Sequence, residues 1–172
     1  MKRLFLLRHA KAAPAEPGME DCDRPLMLTG AGDAAAMARY MRKNEYVPDL
    51  ILCSTSARTV QTAEMILAEL QTEIEYRDAL YLAATAKILA AVRAASASVS
   101  GLMIVGHNPG LEEAASLLAR EPVRRKERTR REVLEEKFPT AALAVLDFEI
   151  KRWRDVAQDQ GALIDFIWPK DL

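Results

Sequence analysis

Histidine and cysteine are scarce in this chain, with two of each among 172 residues. Cys22 and Cys53 form no CxxC pair and no zinc-ligand spacing. Two histidines, His9 and His107, are too few for a His-rich metal site, so no metal and no other cofactor is expected. The cysteines read as free thiols in a reducing cytoplasm. Long apolar runs are lacking too, and none approaches the roughly 18 residues of a membrane span. The N-terminal apolar run is only Leu4 to Leu7, ended by Arg8 and His9. A signal peptide needs an apolar stretch of roughly 7–15 residues. The expectation is a cytoplasmic protein with no membrane contact. Charge of one sign is also missing: 24 Lys and Arg stand against 25 Asp and Glu, a net charge of -1. That balance argues against a nucleic-acid partner.

What the chain has is apolar content, 50% of its residues, arranged in short segments. A chain of this length buries roughly 70% of its unfolded surface on folding. It is expected to form one domain over residues 1–172. Arg3 to Leu7, Leu50 to Cys53 and Gly101 to Val105 are short continuous apolar runs, the pattern of strands buried on both faces. A fourth strand is predicted near Glu73 to Tyr76. Between them lie helical patterns: Thr29 to about Asn44, about Ala57 to Leu70, Thr85 to about Ala95, and Leu111 to Leu118. Thr29, Ser56 and Thr85 are candidate N-caps. Two more strands, Ala142 to Phe148 and Ala162 to Trp168, close the chain. The alternation predicts an α/β protein, a three-layer α/β/α sandwich with a mixed, mostly parallel central sheet. The last two strands would add an antiparallel pair at one edge.

Ligands of such sheets bind beyond the carboxyl ends of the strands. Arg8 and His9 follow the first strand. Ser54-Thr55-Ser56-Ala57-Arg58 follows the second and opens a helix. Gly106-His107-Asn108-Pro109-Gly110 follows the strand at 101–105 and opens another. The only two histidines thus fall at strand ends, together with two arginines. Guanidinium pairs grip a phosphoryl group with bidentate hydrogen bonds. Helix starts add backbone N–H donors. A neutral imidazole is a nucleophile toward phosphorus, and neighbouring arginines keep it neutral. Phosphoryl transfer asks mainly for positioning and charge stabilisation. Taken singly, each of these residues is more often a solvated loop or structural residue; three strand ends carrying phosphate-suited groups shift that balance.

The residues also resemble a known family. Leu6-Leu7-Arg8-His9-Ala10 is similar to the Arg-His signature of the histidine phosphatase superfamily, also called phosphoglycerate mutase-like. Ser54 to Ala63, with Arg58 ahead of Gln61-Thr62-Ala63, resembles its second motif, and Val105-Gly106-His107-Asn108-Pro109 its third. Asp23-Arg24-Pro25-Leu26, then Thr29-Gly30, together with Phe138-Pro139-Thr140-Ala141 and the last strand with Pro169, resembles the small SixA-like branch. The resemblance implies that His9 is the nucleophile and becomes a phosphohistidine. Arg8, Arg58 and His107 would hold the phosphoryl group, and water would complete the hydrolysis.

One departure bears on the reaction. Larger members carry a catalytic glutamate in a Leu-x-Glu setting after the third strand, whereas this chain reads Asp78-Ala-Leu80-Tyr81-Leu82. No glutamate follows Leu80, which argues against a mutase. Phosphohistidine carries a good leaving group once its ring is protonated, so less acid assistance is needed. Asp23 is the candidate for assistance, against a salt bridge to Arg24 or a loop cap; Glu20 is the weaker one. Asn108 is a candidate substrate contact or turn-former. Ser54 or Ser56 is a candidate hydroxyl donor or cap.

The expected activity is therefore metal-independent hydrolysis of phosphohistidine on a protein, for example a histidine phosphotransfer domain in signal transduction. The alternatives are a phosphatase for small phosphomonoesters and a non-catalytic phosphoprotein-binding module. The stretch Arg120 to Lys137 holds eight basic and five acidic residues. It reads as a solvated face with internal ion pairs, or as a rim for an acidic phosphoprotein.

Overall fold

The computed structural model describes residues 1–172. Its strands are β1 (Lys2–Arg8), β2 (Leu50–Ser54), β3 (Glu73–Arg77), β4 (Gly101–Gly106), β5 (Leu143–Phe148) and β6 (Ala162–Ile167). They form one sheet in the order β3-β2-β4-β1-β5-β6. The first four are mutually parallel where they pair, while β5 runs antiparallel to β1 and β6 antiparallel to β5. The helices are α1 (Leu28–Lys43), α2 (Ala57–Glu69), α3 (Thr85–Ala94), α4 (Gly110–Leu118) and α5 (Arg125–Glu136).

The alternation of side chains along each strand divides the core into two layers. Phe5, Leu7, Ile51, Cys53, Met103 and Val105 pack with Met37 and Met41 of α1 and Ala63 and Ile66 of α2. Leu4, Leu6, Leu50, Leu52, Leu102 and Ile104 pack on the opposite face with Ile88 and Val92 of α3, Leu111 and Leu118 of α4, and Leu134 of α5. Central strands buried on both faces cannot alternate polar with apolar residues, which explains the continuous apolar runs. The edges are protected differently. β3 is short and carries Glu73, Glu75 and Arg77. On β6 the buried Asp165 accepts the hydroxyls of Tyr40 (2.7 Å) and Tyr46 (3.1 Å). Both are recognised ways of blunting a sheet edge.

Two helix starts differ from expectation. Met27, not Thr29, stands at the N-cap of α1. The Met27 amide donates to Lys11 O at 2.9 Å and Leu26 bridges Ala12, so the chain is pinned up to Met27 and turns helical immediately after it. Ala84, not Thr85, stands at the N-cap of α3, and the Thr85 hydroxyl instead donates to Glu113 on α4 at 2.7 Å. Ser56 does occupy the N-cap of α2, but its hydroxyl meets that of Thr59 at 2.7 Å rather than a helix amide.

The topology creates one crevice. β1 and β4 are neighbours, yet the helix after β1 lies on one face and the helix after β4 on the other. Chains that leave adjacent strand ends toward opposite faces open a cleft between them. β2 borders β4 on its other side, so the ends of β2, β4 and β1 stand side by side.

Candidate active site

The crevice collects the residues of all three strand ends. Arg8 and Gly106 are register partners across β1 and β4, and the His9 amide donates to Gly106 O at 3.1 Å. The His9 and His107 rings therefore stand 5.3 Å apart, centroid to centroid. The Thr62 hydroxyl of α2 accepts the Ala10 amide at 3.0 Å, which fastens the first motif to the second.

His9 Nδ1 lies 2.8 Å from the carbonyl of Ala10. A carbonyl only accepts, so in the neutral ring Nδ1 carries the proton and Nε2 keeps its lone pair. Burial lowers the His9 pKa to about 4, the Ala10 carbonyl opposing, with Arg58, Arg8 and Arg24 adding to the fall. His107 is buried and is lowered further, to about 3, first by burial and then by His9 and Arg58, against the pull of Asp21. Its Nε2 meets the buried Ser54 hydroxyl at 2.8 Å and its Nδ1 faces Arg58 Nη2 at 3.5 Å. Both imidazoles are thus neutral at pH 7, one of them with a free nucleophilic nitrogen.

The cations are placed with equal care. Arg58 is 3% exposed in the first turn of α2. Its Nη1 donates to Asp21 O at 2.7 Å and its Nη2 to Asp21 Oδ2 at 3.0 Å. Arg8 Nη1 donates to Phe138 O at 2.8 Å, and its Nε is buried with no partner. Burial lowers the Arg8 pKa, and the charge of Glu112 works against that; an arginine nonetheless stays protonated. Asn108 Nδ2 donates to the same Phe138 carbonyl at 2.9 Å and to Glu112 at 3.0 Å, which leaves its Oδ1 buried and unpartnered. Arg8, His9, Arg58 and His107 therefore meet in one place, with Ser54 and Asn108 beside them.

Asp23 stands apart from this cluster. Its side chain is exposed and accepts a hydrogen bond from Cys22 Sγ at 3.8 Å. The carboxylate that reaches Arg58 is Asp21, and Arg24 also pairs with Asp21, at 3.0 Å, rather than with Asp23. The reason is local geometry. Residues 21–23 form a 3-10 turn. With three residues per turn, Asp21 and Arg24 share a face and Asp23 is turned away. Glu20 precedes the turn and is exposed. Sequence reading also passed over Tyr81, whose hydroxyl donates to Asp21 and whose ring meets His107 edge-on at 5.5 Å. The missing Leu-x-Glu glutamate marks the place: Tyr81 follows Leu80 directly.

No group of three or more His, Cys, Asp and Glu side chains converges as metal ligands would. No helix is long and apolar enough to cross a membrane. An apolar groove of about 440 Å³ between α3 and the β2–β3 edge, with Leu50, Leu52 and Ala91 in its wall, shares no residue with the histidine cluster.

A sheet crevice that brings together two imidazoles, the buried Arg58 and the half-buried Arg8 is an α/β site whose groups suit a phosphoryl anion. Residues 4–81 match the histidine phosphatase superfamily (branch 1). The chain is 36% identical to a protein of Agrobacterium tumefaciens whose crystal structure is named "putative phosphohistidine phosphatase SixA", over 96% of this chain and 97% of that one, with a TM-score of 0.79. A SixA structure named in the same terms, from Nakamurella multipartitia, is 31% identical over 98% and 96% of the two chains, with a TM-score of 0.84. An uncharacterized protein of Mycobacterium tuberculosis is 32% identical over 95% of this chain and 100% of its own length. The chain belongs to the histidine phosphatase superfamily, in its SixA-like branch, and has the phosphoglycerate mutase-like fold of that family.

Proposed function

We propose that residues 1–172 act as one phosphatase domain that hydrolyses phosphohistidine on a protein by way of a phosphohistidine at His9. The observation that carries this reading is the geometry of His9: Nδ1 is committed to Ala10 O at 2.8 Å, which leaves Nε2 to react, and burial, with Arg58, Arg8 and Arg24 adding to it, lowers its pKa to about 4. In the first step the Nε2 lone pair attacks phosphorus. The P–N bond of the substrate breaks, and the imidazole, already protonated on its other ring nitrogen by solvent, leaves as the neutral ring with the electron pair of that bond. Arg8, Arg58 and the Ser54-anchored His107 stabilise the charge on the transferring oxygens. In the second step water attacks phosphorus, inorganic phosphate departs, and His9 regains its lone pair.

The carboxylates support this substrate class. Asp21 is held well below the usual carboxylate range by Tyr81 first and by Arg24 and Arg58 besides, so it is ionised and offers no proton. A phosphoramidate tolerates that, because its ring nitrogen is protonated before it leaves. The names of the Agrobacterium and Nakamurella relatives point to the same substrate. The free thiols Cys22 and Cys53 suit a reducing cytoplasm.

The test is phosphate release from a phosphohistidine-bearing protein in the presence of EDTA, with His9→Ala and a panel of small phosphomonoesters in parallel. Release by the wild type and none by His9→Ala is expected. Turnover confined to the phosphomonoesters, binding without release, or full activity in His9→Ala would contradict the proposal.

A further inference from the structure

We propose that Asp21 and Tyr81 form a clamp that positions Arg58 for phosphoryl transfer. They act through the guanidinium and not as proton donors. The clamp rests on the reading of the site as a phosphoryl pocket, and it assigns work to two residues outside the histidine–arginine set.

Asp21 meets Arg58 twice, through its backbone carbonyl at 2.7 Å and its carboxylate at 3.0 Å. Two donors on one edge of a planar guanidinium fix its plane as well as its position. Nε and the second proton of Nη1 are left for a phosphoryl oxygen, while the second proton of Nη2 faces His107 Nδ1 at 3.5 Å. The 3-10 turn that carries Asp21 is itself anchored, since Arg24 Nη1 donates to Asp21 Oδ1 at 3.0 Å and Arg24 Nε to Ala13 O at 2.9 Å. Tyr81 closes the other side. Its hydroxyl donates to Asp21 Oδ2, the oxygen that also receives Arg58. Its ring centroid lies 5.9 Å from Arg58 Cζ and 5.5 Å from the His107 ring. Four chain segments, at residues 21, 58, 81 and 107, are thereby tied into one unit around the guanidinium.

The side chains differ sharply in burial: Arg58 is 4% exposed and Asp21 45%. The carboxylate thus sits at the rim, where solvent screens its repulsion of an incoming anion, while the cation it aims lies at the pocket floor. That asymmetry fits an orienting role. A general acid would have to be protonated, and three donors hold this carboxylate ionised.

The experiment is a double-mutant cycle on Asp21 and Arg58, with two readouts. One is kcat/KM on phosphohistidine protein and on phosphoramidates of graded leaving-group basicity. The other is the Kd of tungstate, a tetrahedral dianion like phosphate, by calorimetry. Asp21→Asn is expected to lower kcat/KM about tenfold or more, equally for every leaving group, and to weaken tungstate. Asp21→Glu should recover part of the loss, and Tyr81→Phe should show a smaller one. In an Arg58→Ala background, Asp21→Asn should change both readouts less than about twofold. Thermal unfolding midpoints of all variants control for folding. Full additivity with Arg58→Ala, or a loss that grows with leaving-group basicity, would overturn the clamp. Tungstate binding keeps the two proposals apart: coupling seen there without any turnover upholds the clamp and removes the phosphatase.

Discussion

His9 concentrates the chemistry at the scale of single residues. Its ordinary pKa of 6.5 would leave only about a tenth of the ring neutral at pH 5.5. Burial and three arginine charges bring it to about 4, so the nucleophile stays uncharged through the mildly acidic range. For a base with a lowered folded-state pKa, the active form is present above that value and is lost as the pH falls through it. Once corrected for the substrate's own ionisation, the acid limb of kcat/KM should therefore lie near pH 4. A pH–rate profile measures this directly, and a limb at 6.5 would show that the site does not depress His9. The residues proposed for this chemistry were legible because each lies at or just beyond the end of a strand. Asp21 and Tyr81 were not. Their roles depend on a three-residue turn and a loop, and neither has a periodic signature. Asp23 carries the same charge two positions away, and only the phase of the 3-10 turn separates the two.

Helix starts and their packing decide the geometry at the scale of elements. α4 begins at Gly110, immediately after the loop that carries His107 and Asn108. A methyl group at Gly110 would come within 2.0 Å of Ala83 O and 3.0 Å of Ile88 Cδ1. Alanine is otherwise the better helix former by about 1 kcal/mol, so contact and not propensity sets the sign. Gly110→Ala should destabilise the fold by about 1–3 kcal/mol, as overpacking does. It should also lower turnover, because the shift passes to His107 on one side and to the Tyr81 loop on the other. Urea unfolding and activity of the same variant test both, and an unchanged protein would show that α4 adapts freely. Strand positions could be read from continuous apolar runs, since burial on both faces leaves no other pattern. Helix starts were harder. Thr29 and Thr85 have cap chemistry, but the bridge at Leu26 and the link from Thr85 to Glu113 decide where the helices begin, and both contacts are distant in sequence.

The site at the scale of the whole molecule is a consequence of strand order. Three motifs spread over 100 residues meet because β4 inserts between β1 and β2. The alternation of strands and helices predicted a mostly parallel sheet, and the candidate site residues gather at its strand ends. The order within the sheet is set by tertiary pairing and was not written in any local pattern. Its outcome is two histidines and two arginines brought together at the ends of β1, β2 and β4, with Asp21 and Tyr81 contributed by loops. The central claim is that His9 carries the phosphoryl group between substrate and water. Rapid quenching of the protein during turnover of a labelled phosphohistidine protein, followed by peptide mapping, tests it most directly. The account predicts acid-labile, alkali-stable label on the peptide containing His9 and none on the His9→Ala protein. Turnover with no label at His9, or label at another residue, would contradict it.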